Sequence, residues 1–109
     1  MRYNYSVILI RKLRWDDWNI AHIARHKVTP EEVEDMCHKD PLIQAGKKSR
    51  ILLIGPTAKS RMITVILDPE EKGKHYPVTA RGASRKERKL YKEEKEVKEN
   101  EKKQQNSRI

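Results

Sequence analysis

The sequence has a single cysteine, Cys37, and no phenylalanine. One thiol excludes an intramolecular disulfide framework, so a reducing cytoplasm is the simplest compartment. Long apolar runs are also missing. The run from Val7 to Ile10 is too short for the core of a signal peptide, and no stretch approaches the length of a membrane span. We therefore expect a cytoplasmic protein with no membrane partner.

Several catalytic and cofactor motifs are absent as well. There is no glycine-rich phosphate loop, no Ser-His-Asp pattern and no pair of carboxylates at a plausible site, which disfavours a nucleotide triphosphatase and a carboxylate-dyad enzyme. His22 and His26 have a spacing that can hold a metal, but the segment lacks the glutamate of an HExxH motif. Cys37 and His38 complete no recognisable zinc spacing. We expect no metal and no other cofactor.

Positive charge is what the sequence has in excess. Its 109 residues include 25 lysines and arginines against 16 acidic residues, for a formal net charge of +9. Such a balance favours a polyanionic partner, namely RNA, DNA or an acidic protein. The tail over 92–109 has six cations and five acids and nets +1, so +8 lies in residues 1–91. We predict one domain over 1–91, followed by a charged tail that first extends a helix and is then disordered.

The apolar periodicity predicts an α+β fold. The expected elements are a strand over 5–13, helices over 16–25 and 29–38, strands over 41–45, 51–54, 61–68 and 75–80, and a helix from 84. Asp16 or Asp17, Thr29 and Ser84 are the expected N-caps, the last two within capping boxes. Close spacing of the later strands predicts a small twisted antiparallel sheet, packed on helices on one face and partly open on the other. Pro77 predicts a sheet edge or a bulge.

The segment from Thr79 to Tyr91 joins the end of an apolar strand to the start of a basic helix. Between Arg81 and Tyr91 there are five cations and a single acid, Glu87. Arginine side chains offer planar donor forks that suit phosphate, so this corner has what a phosphodiester-handling surface needs. The helix cations expected to bind RNA are Arg85, Lys86, Arg88 and Lys89.

Arg61 and Arg81 stand at the ends of two strands. Arg61 opens one strand and Arg81 closes another, so antiparallel pairing can bring them to the same sheet end, where two guanidiniums would hold a phosphate. The alternative is a pair of solvated strand-end arginines. Glu87 has a structural role as the capping-box acid, which is favoured over a role as general base. Tyr91 is either a core residue or a polar group of the site.

Trp15, Trp18, His22 and His26 share one face of the first predicted helix. A histidine that faces a nucleic-acid groove can transfer protons near neutral pH, whereas the alternative is that both histidines pack beside the tryptophans. The tryptophans can stack on bases, but core packing is the favoured interpretation in a domain without phenylalanine.

Taken together, these segments resemble the BrnT family of bacterial toxins. The resemblance covers about residues 13–92 and rests on WDDWNIAHIARHKVTPEEVE from Trp15, IGPT from Ile54 with Arg61 after it, and VTARGASRKER from Val78 through to Tyr91. It implies a RelE-like two-layer fold and a metal-independent endoribonuclease that cleaves RNA by attack of the 2′-hydroxyl and arrests translation. It also implies a BrnA-like antitoxin that silences the toxin, with operator DNA bound only through the antitoxin complex.

The resemblance implies roles for individual residues. Arg61 and Arg81 match arginines of the family pattern and are assigned to the scissile phosphate, and His26 is assigned to proton transfer. Glu87 and Tyr91 match the pattern too, with their roles undivided between support and catalysis. The chain departs from the family pattern at Ser60, Pro77 and Trp18. Two alternatives stay open: a nucleic-acid- or ribosome-binding module without chemistry, and a degenerate toxin homologue that acts only through its antitoxin partner.

Overall fold

The computed structural model describes residues 10–106 of the chain. Its elements are β1 (Lys12–Leu13), α1 (Asp17–Ala24), α2 (Pro30–Cys37), β2 (Leu42–Ala45), β3 (Ile51–Pro56), β4 (Met62–Pro69), β5 (Lys74–Gly82) and α3 (Arg85–Asn106). The α+β class is as predicted. Most of the strand predicted over 5–13 lies outside the described residues, which include only its last part.

The five strands form one sheet in the order β1-β5-β4-β3-β2. Strands β2 to β5 pair with their neighbours in antiparallel fashion, as their short connections require. β1 pairs with β5 in parallel, with Lys12 opposite Lys74 and Leu13 opposite His75. The sheet is therefore mixed, and the prediction of a wholly antiparallel sheet is wrong at this edge. Two helices and three strands separate β1 from β5, so the hairpin argument does not determine the direction of β1.

α1 and α2 pack on one face of the sheet. Asp16 caps α1, and its carboxylate accepts from the Asn19 N–H at 2.9 Å. Thr29 caps α2 in the predicted capping box. The core lies between these helices and the inward rows of β3, β4 and β5, and its buried members are Leu13, Ile23, Val28, Val33, Met36, Leu53, Ile63, Val65, Leu67 and Ala80. This apolar contact fixes α1 across β5.

α3 lies against the opposite face. Thr64 alternates with the core residues Ile63 and Val65, so its side chain is on the second face. Its hydroxyl donates to Glu87 of α3 at 2.8 Å. The three helices therefore do not share one face, in contrast to a simple two-layer arrangement, and Leu52 and Ile66 stay half-buried beside α3. None of the helices in the described part of the chain is long and apolar enough to cross a membrane.

α3 also accounts for most of the charged tail, because the helix runs on to Asn106. The disorder predicted for the end of the tail falls on residues 104–109, and residues 107–109 lie outside the described part.

A bulge in β5 decides where Arg81 lies. The register with β4 shifts by one residue next to Pro77, which leaves Val78 as an extra residue. Pro77 is thus at a bulge, one of the two positions predicted for it. Strict alternation from the buried Pro77 would put Arg81, four residues later, on the core face. Because the bulge absorbs one residue, Ala80 is buried in the core and Arg81 is on the face of α3.

Candidate nucleic-acid site at the strand-to-helix corner

Gly82 and Ala83 form the corner between β5 and α3. Ala83 is buried, and its N–H donates to the Met62 carbonyl at 3.0 Å, which ties the corner to β4. Ser84 then caps α3: its hydroxyl accepts from the Glu87 N–H at 3.1 Å, and the Glu87 carboxylate accepts from the Ser84 N–H at 2.8 Å. This is the predicted capping box, and it holds Glu87 beside the end of β5.

Arg81 and Glu87 form a two-pronged ion pair on the second face of the sheet. Nη1 of Arg81 donates to Oε1 at 2.8 Å, and Nη2 donates to Oε2 at 2.9 Å. Thr64, which is opposite Arg81 in the sheet register, donates to the same Oε1. The Glu87 side chain is 15% exposed and that of Arg81 is 37% exposed. The guanidinium is thus held in one orientation by a largely buried carboxylate while remaining accessible to solvent.

The same contacts change the acidity of Glu87. The hydrogen bonds from Arg81, followed by those from the Ser84 N–H and the Thr64 hydroxyl, lower the pKa of Glu87 to about 2. The pair also raises the pKa of Arg81. A carboxylate with so low a pKa is a weak base near neutral pH. The geometry therefore suits Glu87 to orienting Arg81 rather than to removing a proton from a hydroxyl.

Arg61 approaches the same corner from the hairpin between β3 and β4. Its Nη2 donates to the His26 carbonyl at 3.0 Å, and its Nη1 donates to the Lys27 carbonyl. Nη2 also lies 3.7 Å from the position that a Cβ on Gly82 would occupy. Ser60, immediately before Arg61, has a φ of 64°. Glycine adopts this conformation at less cost than serine, so the backbone of this hairpin is strained at Ser60.

The end of α1 presents the carbonyls that Arg61 binds. The Val28 N–H donates to the Ile23 carbonyl at 3.2 Å, and the Lys27 N–H donates to the Ala24 carbonyl at 2.9 Å. Together with the φ of 60° at Lys27, this is a Schellman motif. A guanidinium is favoured here because the carboxyl end of a helix carries partial negative charge. Arg61 therefore connects α1 to the corner.

A third arginine completes the arrangement. Nη1 of Arg88 donates to the Ala83 carbonyl at 2.8 Å, and Nη1 of Arg81 lies 3.3 Å from the Gly82 carbonyl. We call Arg61, Arg81 and Arg88, together with Gly82 and Ala83, the cationic corner. A guanidinium has five N–H donors, so these contacts orient each group and still leave donors for an anionic ligand.

The other cations predicted to bind RNA are spread over α3. Arg85, Lys86 and Lys89 are all exposed. Helical periodicity puts Arg85 and Lys89 on the side of α3 opposite to Glu87, away from the sheet. They enlarge the positive surface next to the cationic corner but do not converge on it.

Tyr91 lies away from the cationic corner. It is one turn of α3 beyond Glu87 and is half-buried over β2, where it lines a shallow cleft of about 10 Å³ with Asp40 and Leu42. The ammonium of Lys95 lies 5.8 Å from the centre of its ring. The structure therefore pairs Arg81 with Glu87 on the face of α3, and places Arg61 next to Gly82 on the face of α1. Tyr91 lies on the same face as Arg81 but towards the β2 edge of the sheet.

The backbone carbonyl of His26 is bound by Arg61 of the cationic corner, and its ring belongs to a row of aromatic side chains on α1. The rings of Trp18 and His22 are stacked, with centroids 4.9 Å apart and planes 9° apart, and the His26 ring lies edge-on 5.9 Å from that of His22. Trp18 is 59% exposed, so the prediction that it packs in the core is wrong. Trp15 does pack against the core, and its indole N–H donates to Glu34 at 2.9 Å.

Two residues that position the site were not predicted from the sequence. Thr64 fixes Glu87, and a signal was present, because a polar residue interrupts the apolar run of β4. Asn19 is fully buried, and its side-chain amide donates to the carbonyls of Arg14 at 3.0 Å and Pro77 at 3.1 Å. Asn19 therefore ties α1 to the bulge of β5. No local pattern distinguishes such a buried amide from a solvated one.

The described side chains give less support to a metal site or to a nucleophilic cysteine. Among residues 10–106, no three side chains of His, Cys, Asp or Glu come together as a metal site would require. Burial, with a smaller effect of Glu34, raises the pKa of the Cys37 thiol to about 12. A thiol with that pKa is a poor nucleophile near neutral pH.

No protein-family model, no curated protein and no solved structure matches this chain. The residues and their geometry therefore carry the assignment of function.

Proposed function

We propose that this chain is a BrnT-type toxin of a type II toxin–antitoxin module, with a RelE-like ribonuclease fold. Its activity is metal-independent endoribonucleolytic cleavage of RNA, which arrests translation. The observation that carries the proposal is the cationic corner: Arg61, Arg81 and Arg88 surround one strand-to-helix turn. Guanidiniums are suited to a phosphate because each has five N–H donors, and the contacts within the protein use only some of them.

In this proposal the bond between phosphorus and the 5′-oxygen is broken without a metal. The 2′-hydroxyl loses its proton to a base as its oxygen bonds to phosphorus, and the departing 5′-oxygen receives a proton. Arg61 and Arg81 neutralise the negative charge that grows on the non-bridging oxygens. His26, whose carbonyl is bound by Arg61, is the candidate for proton transfer. Glu87 holds Arg81, and the position of Tyr91 over β2 favours a supporting role.

A binding module without chemistry is the second candidate, and one observation favours it. Arg81 is already paired with Glu87 through two hydrogen bonds, and Arg61 already binds two carbonyls. Guanidiniums with such partners can attract RNA or a ribosomal surface through their net field without contacting the reacting phosphate. A degenerate toxin that acts only through its antitoxin has the same geometry.

The proposed protein partner is a BrnA-like antitoxin that covers the positive surface of the toxin. The net charge of +9 supports a partner or ligand of opposite charge. Operator DNA then binds only to the complex, through the antitoxin.

The decisive experiment incubates the partner-free protein with RNA in EDTA and compares Arg81→Ala with the unchanged chain. Loss of one oriented donor to the developing charge should slow cleavage about 100- to 1,000-fold. Arg14→Ala is a matched control, because Arg14 also makes a two-pronged pair, with Glu70 at 2.7 to 3.1 Å, near the start of β5. It lies roughly 20 Å along the strand from Arg81. This control should retain cleavage.

Two outcomes separate the candidates. Retention of intact RNA by the unchanged protein would favour the binding module and exclude the nuclease. If Arg81→Ala lowers the rate of cleavage less than tenfold, Arg81 contributes only surface charge. Because Arg81→Ala leaves Glu87 without its partner, Glu87→Gln is measured as well. It breaks the ion pair but keeps the arginine, so a slowing that is much larger for Arg81→Ala than for Glu87→Gln assigns the effect to the arginine and not to the broken pair.

A further inference from the structure

Trp18, His22 and His26 form an aromatic row along the solvent-facing side of α1. Successive members are four residues apart, so their side chains lie above one another on one helix face. The Trp18 and His22 rings are nearly parallel, and the edge of His26 closes the row at the end nearer the cationic corner. The open end of the stack is therefore the free face of Trp18.

The exposure of Trp18 calls for a physical explanation. Trp15, which precedes the cap of α1, is anchored by its hydrogen bond to Glu34 and packs on the core, whereas Trp18 is 59% exposed to solvent. Single exposed apolar residues are common, but a large ring held flat on a second ring is a preformed stacking surface. Every nucleobase has a π-face, so such a surface accepts an unpaired base whatever its identity.

The surroundings of the row favour nucleic acid over an apolar partner. Its last member, His26, is bound through its carbonyl to Arg61, so the aromatic row runs directly into the cationic corner. From Trp18 to the end of α1 the distance is roughly 10 Å along the helix axis. A single strand with one base on Trp18 can therefore reach the arginines of the corner with its phosphates within a few nucleotides.

We infer that Trp18, supported by His22 and His26, stacks an unpaired base of single-stranded RNA whose backbone continues to the cationic corner. The inference rests on the proposed function in that it names the substrate class of the same site. It assigns the row to strand binding and requires no role in the chemistry. A base inside a duplex has both faces covered by the neighbouring base pairs, so the row favours single strands.

The test uses the full chain with Trp15→Phe, which leaves Trp18 as the remaining tryptophan. The probe is a short 2′-O-methyl-oligouridine strand, which cannot undergo 2′-hydroxyl attack and so reports binding alone. We expect the strand to quench the fluorescence of Trp18. In the chain with its native Trp15, Trp18→Leu should weaken binding of a labelled strand about tenfold, as loss of one stacked base predicts. Affinity for a 2′-O-methyl duplex of equal length should not change.

Ile20→Ala is the matched control, because Ile20 is the other exposed large apolar residue of α1 and lies outside the row. It should bind the single strand as tightly as the unchanged chain. Equal affinities for Trp18→Leu and Ile20→Ala, without quenching, would overturn the inference, and the row would then stabilise the helix or contact a protein. A drop in thermal stability of Trp18→Leu at unchanged affinity leads to that same conclusion.

The outcomes also separate this inference from the proposed function. If the unchanged chain cleaves RNA and Trp18→Leu binds the single strand as tightly as the unchanged chain does, the stacking role is excluded and the nuclease proposal stands. If binding depends on Trp18 but the protein cleaves no RNA, the nuclease proposal is excluded and the stacking role stands. Absence of both cleavage and strand binding removes the two together.

Discussion

At the scale of single residues, Glu87 connects three parts of the molecule. Its carboxylate accepts from Arg81 on β5, from Thr64 on β4 and from the Ser84 N–H at the start of α3. Each donor favours the ionised form, and together they outweigh the cost of partial burial, so the pKa of Glu87 falls from 4.5 to about 2. Glu87 is therefore a stabilising group whose contribution depends on pH.

The sign of this dependence follows from the lowered pKa. The unfolded chain binds a proton at Glu87 near pH 4.5, and the folded chain binds it only near pH 2. The stabilisation is present above pH 4.5 and is lost as the pH falls through this window. We expect Glu87→Gln to lower the free energy of unfolding by about 2 kcal/mol at pH 7, and by progressively less towards pH 2. Urea unfolding of both proteins across this range measures the difference.

Glu99→Gln provides the control, since Glu99 is exposed on α3 and should change the free energy of unfolding by less than about 0.5 kcal/mol at any pH. A difference between Glu87→Gln and the unchanged chain that stays constant from pH 7 to pH 2 would contradict the assigned pKa and its cause.

At the scale of elements, α1 is positioned by one buried amide as well as by apolar packing. Asn19 accepts from the Asp16 N–H at 2.9 Å and donates to two carbonyls, one of them at the bulge of β5. Asn19→Ala leaves these groups without their partner, which should lower the free energy of unfolding by about 3 kcal/mol. Thermal and urea unfolding measure this, and the exposed Asn100→Ala should be nearly neutral.

A mild effect of Asn19→Ala, comparable to that of Asn100→Ala, would show that α1 is held by its apolar contacts alone. The consequence extends to the site, because the end of α1 supplies the carbonyls that Arg61 binds. A displaced α1 would release Arg61 from the cationic corner.

The elements also show how far the sequence predicts this molecule. Thr29 and Ser84 were identified as caps because capping is local, and each begins a helix where predicted. The parallel pairing of β1 depends on distant chain segments, so no local pattern reveals it. The extra residue Val78 could not be located by counting, although Pro77 indicated a bulge nearby. The pairing of Arg81 with Glu87 depends on that bulge, since it determines the face on which Arg81 lies.

At the scale of the whole molecule, the excess charge belongs to the body and not to the tail. Residues 1–91 have a net charge of +8, and residues 92–109 add +1. If RNA is bound along the cationic corner and the first turns of α3, each cation that contacts a phosphate releases counterions. The logarithm of the binding constant then falls linearly with the logarithm of the salt concentration, by about 0.7 for each contact with a single strand.

This salt dependence can locate the strand on the protein surface. We expect Arg85→Gln with Lys86→Gln to reduce the slope by about 1.4 for a 2′-O-methyl single strand, because both cations are exposed at the start of α3. Lys102→Gln with Lys103→Gln removes the same charge from the tail and should leave the slope unchanged, since the two pairs differ in position and not in charge. Fluorescence anisotropy at several salt concentrations measures both slopes. An equal reduction by the two pairs would mean that RNA responds to the overall field of the protein, and the strand would then have no defined path past the cationic corner.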